Sequence, residues 1–86
     1  MQIDGAVIRE QGVTFAVVVV KCDVIGNSSR AQEAIMSFMP AFPGMPVVLM
    51  AQDHRGAPTY YGRRDISRFM ASVPLRAIPW RQYSIN

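Results

Sequence analysis

A single cysteine, Cys22, and a single lysine, Lys21, stand in this chain of 86 residues, and each scarcity excludes a class of chemistry. One thiol closes no internal disulfide and builds no multi-cysteine metal cage, so a reducing, cytoplasmic setting is the default expectation and no metal or cofactor is expected. One lysine is too few for the basic patch of an ordinary nucleic-acid binder, and no recognised nucleic-acid module accompanies it, which ranks nucleic acid below other partners. Charge of either sign is sparse, at 17% of residues against about 25% in a typical soluble domain. The surface is therefore expected to be poor in charge or covered in part by a partner. Long apolar runs are missing too, since the longest falls far short of the roughly 20 residues that span a bilayer. Met1 to Asp4 has neither the basic nor the apolar region of a secretory signal, so no membrane contact and no targeting segment is expected. Without repeats, low-complexity tracts or linker-like stretches, residues 1–86 read as one small domain. A domain of this size buries only roughly 60% of the surface its unfolded chain exposes, which leaves a thin stability margin.

Half of the residues are hydrophobic, and two runs of them carry the architecture. Thr14 to Val20 and Pro46 to Ala51 are apolar without alternation, the pattern of strands buried on both faces of a covered sheet. Between them, Ala31, Ala34, Ile35, Phe38 and Met39 recur at helical spacing, and Pro40 and Pro43 end the helix. Ser29 and Gln32 have the spacing of a capping box at its start. The centre therefore reads as strand, crossover helix, strand, the minimal parallel unit.

Upstream, Ile3 to Glu10 joins Val13 to Lys21 through Gln11-Gly12 as a hairpin, with the first arm expected at the sheet edge because it ends in charges. Downstream, the turn residues Asp53 to Pro58 predict a second hairpin into Thr59 to Gly62. Asp65 is expected to cap a helix in which Ile66, Phe69, Met70 and Val73 form the apolar stripe. The tail Ile78 to Ile85 is available as a last edge strand, with Pro79 confining it to a border. The order is β-β-α-β-β-α in a small mixed sheet, an α/β fold, or α+β if antiparallel pairing dominates. With both helices on one face, the doubly apolar strands lack a cover on the other, and a second copy is the expected cover, hence a homodimer. Helices on opposite faces, or a tail folded over the gap by Trp80, are the alternative.

Pro46 to Val73, a proline-entered strand, a turn, a second strand, Gly62 and a helix, resembles the carboxy-terminal strand-strand-helix part of thioredoxin-like proteins. In that family the proline follows a cis peptide. This chain has no C-x-x-C, so the resemblance implies no redox activity for any residue. The phrases Thr14 to Val20, Val47 to Asp53, Tyr60 to Arg63 and Ile78-Pro79-Trp80 are similar to a group of small uncharacterised bacterial proteins. That similarity implies a bacterial source and no activity.

Candidate chemistry concentrates at Asp53-His54-Arg55 and at Tyr60 to Asp65, which the second hairpin is expected to bring together. Arg55, Arg63 and Arg64 could clamp a phosphate or carboxylate beside the helix start, with Tyr61 as a stacking face. The competing reading has Asp65 capping the helix and the arginines solvated or paired with Asp53 and Asp65. His54 has the side chain of a general base, but no nucleophile lies beside it, and Asp53 as its immediate neighbour is poorly placed to orient it. Cys22 beside Lys21 is read as a packed or inert thiol before a nucleophile, because neighbours on a strand point to opposite faces. From Gly44 onward six arginines face two acids, so an acidic protein or an anionic ligand suits that half. No convergent set of acid, base and nucleophile is present. The expectation is a small self-associating interaction or regulatory module, with binding of an anion, nucleotide or nucleic acid through the arginine and tyrosine cluster as the alternative, and an enzyme last.

Overall fold

A computed structural model describes residues 1–85. The hairpin strands are β1 (Gln2–Glu10) and β2 (Val13–Val19), joined by a two-residue turn in which Gln11 and Gly12 both take positive φ, 49° and 79°. Such a turn follows the right-handed twist of its arms, and glycine is the residue that enters it without strain. A four-residue helix, α1 (Cys22–Ile25), and the crossover helix α2 (Ser28–Phe38) lead through a 3-10 turn at Met39–Ala41 into β3 (Val47–Gln52). The chain continues through β4 (Pro58–Tyr61), α3 (Arg64–Met70), a 3-10 turn at Leu75–Ala77 and β5 (Arg81–Ser84). The five strands form one sheet in the order β4-β3-β2-β1-β5, with β2 and β3 parallel and the other neighbours antiparallel. This is the small mixed α/β sheet that the hydrophobic pattern predicts.

The apolar runs are doubly buried because the helices take opposite faces, not one. Ala16, Val18, Val47 and Leu49 pack with Ala31 and Phe38 of α2, joined by Phe42 and Ile3. Phe15, Val17, Val48 and Met50 point the other way, onto Ile66 and Met70 of α3 and onto Ile78, with Trp80 folded against them. The indole Nε1 donates to the Leu75 carbonyl at 3.2 Å and anchors that flap. A bare sheet face, the premise of the expected homodimer, is therefore absent.

Local details depart from the sequence pattern for identifiable reasons. β1 lies between two strands rather than at an edge, because its Gln2 to Gly5 half pairs with β5 while Gly5 to Glu10 pairs with β2. The cap of α2 is Asn27, whose side-chain oxygen accepts from the Arg30 amide at 3.1 Å, so the helix starts ahead of the Ser29 and Gln32 box. At α3 no side chain caps the start; Asp65 lies in the first turn instead, and the helix ends at Met70 rather than reaching Val73. The Met45–Pro46 peptide is trans, as are all others among the described residues.

Gly62 turns the chain from β4 into α3 with φ 149°, and a Cβ there would meet Val48 Cγ2 at 3.0 Å and Val48 Cα at 3.2 Å. Gly62→Ala is expected to destabilise the fold by about 3 kcal/mol, from backbone strain together with overpacking. Gly12→Ala, with positive φ and nothing within 4 Å of the added carbon, should lose only about 1 kcal/mol. Urea midpoints of the two variants check the difference; equal losses would mean that the contact with Val48 is unimportant. Tyr60 offers a second test, because its hydroxyl is buried without a hydrogen-bond partner and desolvation raises its pKa. Tyr60→Phe removes an unsatisfied polar atom and is expected to leave stability equal or up to about 1 kcal/mol higher, measured by the same unfolding curves.

Candidate functional site

The residues proposed as one anion site are held apart by the strand between them. Asp53 N–H donates to the Ala57 carbonyl and Gly56 N–H to the Asp53 carbonyl, both at 2.9 Å, which closes a tight turn at the hairpin tip. Asp53 Oδ1 also accepts from the amides of Arg55 and Ala57, at 2.8 and 3.0 Å, so this carboxylate braces the turn. Gln52 adds a bond from Nε2 to the Gly56 carbonyl at 3.0 Å. His54 and Arg55 are exposed on this tip. Tyr61 is paired with Leu49 at the other end of β4, roughly 10 Å along the strand from Pro58 at about 3.4 Å per residue. The hairpin brings β3 and β4 side by side, and its tip stays remote from the α3 entry. Arg55 does not converge with Tyr61, Arg63 and Arg64.

At the α3 entry the charges also differ from the expected clamp. Arg63 binds Asp65 in a two-pronged pair, Nε to Oδ1 at 2.9 Å and Nη2 to Oδ2 at 2.7 Å. The hydrogen bonds from Arg63 hold the Asp65 carboxyl below the usual carboxylate range, and Asp65 in turn raises the Arg63 pKa. Arg63 is thus occupied by its own neighbour. Arg64 is exposed and makes no ion pair among the described residues, where the only other salt bridge joins Arg30 to Asp23 at 2.8 Å. Tyr61 faces α2, and its hydroxyl accepts from Gln32 Nε2 at 3.2 Å. Tyr60 faces the α3 side.

Cys22 is exposed rather than packed, at the first position of α1. Its Sγ donates to the Gln52 carbonyl at 2.8 Å, tying the end of the β2 connection to the end of β3. Asp23, beside it, is engaged with Arg30, whose guanidinium lowers the Asp23 pKa. No group of three or more His, Cys, Asp or Glu that could hold a metal ion occurs among the described residues. No described helix is long and apolar enough to cross a membrane.

A wide concavity lies elsewhere, on the α2 face beside the open β4 edge. It is a groove of about 430 Å³ between Ile35 of α2, Met39 of the following 3-10 turn and the Tyr61-Gly62-Arg63 corner, with Pro46 and Val47 beneath. Met39, assigned to the helix core by its spacing, is 48% exposed on this rim, and Met36 on the next turn is 70% exposed. The sequence carried no signal of this, because Met39 falls within the apolar stripe read for the helix and Met36, outside that stripe, does not line the groove. A smaller cavity of about 180 Å³ opens on the α3 face between Phe15, Ile66 and Phe69, with the acids Glu10 and Asp65 at its mouth. Neither cavity contains His54 or Cys22 in its lining.

Comparison with models of protein families, with curated proteins and with solved structures gives no match for this chain.

The Arg63–Asp65 pair yields a titration prediction. Asp65 is depressed in the folded state, so its contribution to stability is present above the unfolded carboxyl pKa and is lost as pH falls through the folded value. Arg63→Ala should move the Asp65 titration up towards the ordinary carboxylate range. Carboxyl-carbon NMR titration of the two proteins checks it, and an unmoved Asp65 would assign its depression to the backbone instead.

Proposed function

We propose that this protein is a small interaction module whose working surface is the border between α2 and β4. The observation that carries this reading is the groove between Ile35, Met39 and the Tyr61-Gly62-Arg63 corner, on whose rim Met39 stands half exposed just past the end of α2. Unbranched thioether side chains adapt to differing apolar surfaces, which suits a docking rim. None of the buried residues among those described is polar or charged, so the interior supplies no acid, base or nucleophile, and chemistry is confined to the surface. The anion reading has less support, because Arg63 is engaged with Asp65 and Arg55 stands at the far end of β4. Arg64 alone is left of the three arginines.

The reading is tested by selecting random dodecapeptides on the immobilised protein and titrating the winners into protein labelled at its methionine methyl groups. Binding at the groove should shift the Met39 signal, and Met39→Lys should weaken binding at least tenfold. An empty selection, or winners that shift the hairpin tip while leaving Met39 unmoved, would overturn it. Inorganic phosphate at millimolar concentration is the control for the anion reading, which predicts shifts centred on Arg64.

A further inference from the structure

We infer that the partner of this module binds as an extended strand added to the open edge of β4, with apolar residues alternating with acidic ones. This rests on the reading of the α2–β4 border as the working surface, and adds the backbone mode and the chemistry of the occupant. The edge is defined by register. Asp53 N–H bonds the Ala57 carbonyl, and Gln52, Met50 and Leu49 pair with Pro58, Tyr60 and Tyr61 in turn. Hydrogen-bonding direction alternates along an antiparallel strand, so Thr59 and Tyr61 turn their amides and carbonyls to β3, whereas Pro58 and Tyr60 turn theirs outward. Pro58 has no amide to offer and blunts the beginning of the edge. Tyr60 presents both a donor and an acceptor with no strand beside them, next to the groove.

A strand laid against Tyr60 would send alternate side chains to opposite faces of the sheet. On one face they meet the groove between α2 and Tyr61, lined by Ile35, Met39 and Val47. On the other face lies α3, packed beside β4, with Arg64 and Arg68 one helical turn apart, exposed, and without an ion pair among the described residues. Like charges at that spacing repel, and a carboxylate between them relieves the repulsion. Apolar residues for one face and acids for the other are the chemistry that both faces accept. The second free edge, β5, has outward groups at Gln82 and Ser84 by the same alternation, yet no residue of β5 lines either cavity described above. A second copy is a poor occupant of the β4 edge, because two-fold pairing would bring Arg63, Arg64 and Arg68 of both chains together in a protein already at net charge +3.

The probe is the blocked octapeptide of alternating aspartate and leucine, compared with a leucine and lysine alternation and with a block sequence of four aspartates followed by four leucines. The alternating acidic peptide should shift Met39, slow amide hydrogen exchange at Tyr60 at least tenfold, and bind at least tenfold more weakly when salt rises from low to about 0.5 M. Methylation of its alternate backbone nitrogens should abolish binding with the side chains unchanged. Arg64→Ala with Arg68→Ala, both at exposed positions, should weaken it at least tenfold. Met39 shifts without slowed Tyr60 exchange, or equal binding by the block peptide, would overturn strand addition and leave the groove reading standing. Equal binding by the lysine peptide would overturn the acidic partner. No shift at Met39 from any peptide at millimolar concentration, or dimerisation through Tyr60 in sedimentation, would overturn the inference; the dodecapeptide selection then decides the groove reading separately.

Discussion

The parallel pairing of β2 with β3 is the constraint on which the rest of the structure depends. Parallel neighbours cannot be joined by a tight turn, so the chain has to leave the sheet after Val19, cross one face as α1 and α2, and re-enter at Val47. Those two strands are central in the sheet and apolar on both faces. Covering one face with α2 therefore leaves the other to be covered, and the chain uses α3, the Leu75–Ala77 turn and Trp80 for that purpose. A three-layer arrangement follows from two strands whose buried stretches, Phe15 to Val18 and Val47 to Ala51, hold no polar residue. Burial is shared between two clusters on opposite sides of a single sheet, so neither face forms a deep core, which suits a chain of this length.

What the sequence discloses is the identity of elements, since periodicity reports which residues share a face of their own helix or strand. The unbroken apolar runs and the α2 stripe are cases of this. Periodicity does not report which side of the sheet a helix takes, and the placement of α3 opposite α2 is for that reason illegible in Ile66, Phe69 and Met70. The position of β1 was hidden by a different effect. Arg9 and Glu10 gave one end of it an edge-like character, while the partner strand that makes it interior attaches at the other end, around Ile3. At the helix starts, local competition decided. Asn27 takes the cap position ahead of Ser29, and α3 begins at Arg64, which places Asp65 inside its first turn, past the cap position, where it pairs with Arg63.

The candidate site shows the same limit more sharply. Residues near in sequence look convergent across a hairpin, but a hairpin juxtaposes only residues that are opposite in register. Arg55 at the tip and Arg63 beyond the end of the arm are separated by the full length of β4. The groove was illegible because it needs three non-adjacent segments, Gln32 to Met39, Pro46-Val47 and Tyr61 to Arg63, to meet. The legible portion was compositional: six arginines after Gly44 against two acids, and no convergent catalytic set.

The interior position of β1 has a consequence for how the chain assembles. Its partner β2 follows at once, so the hairpin is available early, yet β5 comes from the other end of the sequence. Contacts at such separation are slow to form, since the intervening chain must be ordered before they close. During synthesis the Gln2 to Gly5 half of β1 has nothing to pair with until Arg81 to Ser84 emerge. Throughout that interval a strand that is internal in the finished protein is a bare edge, with Ile3 uncovered beside it, and the nascent chain passes through a stage more prone to sticking to its neighbours than the native fold it becomes.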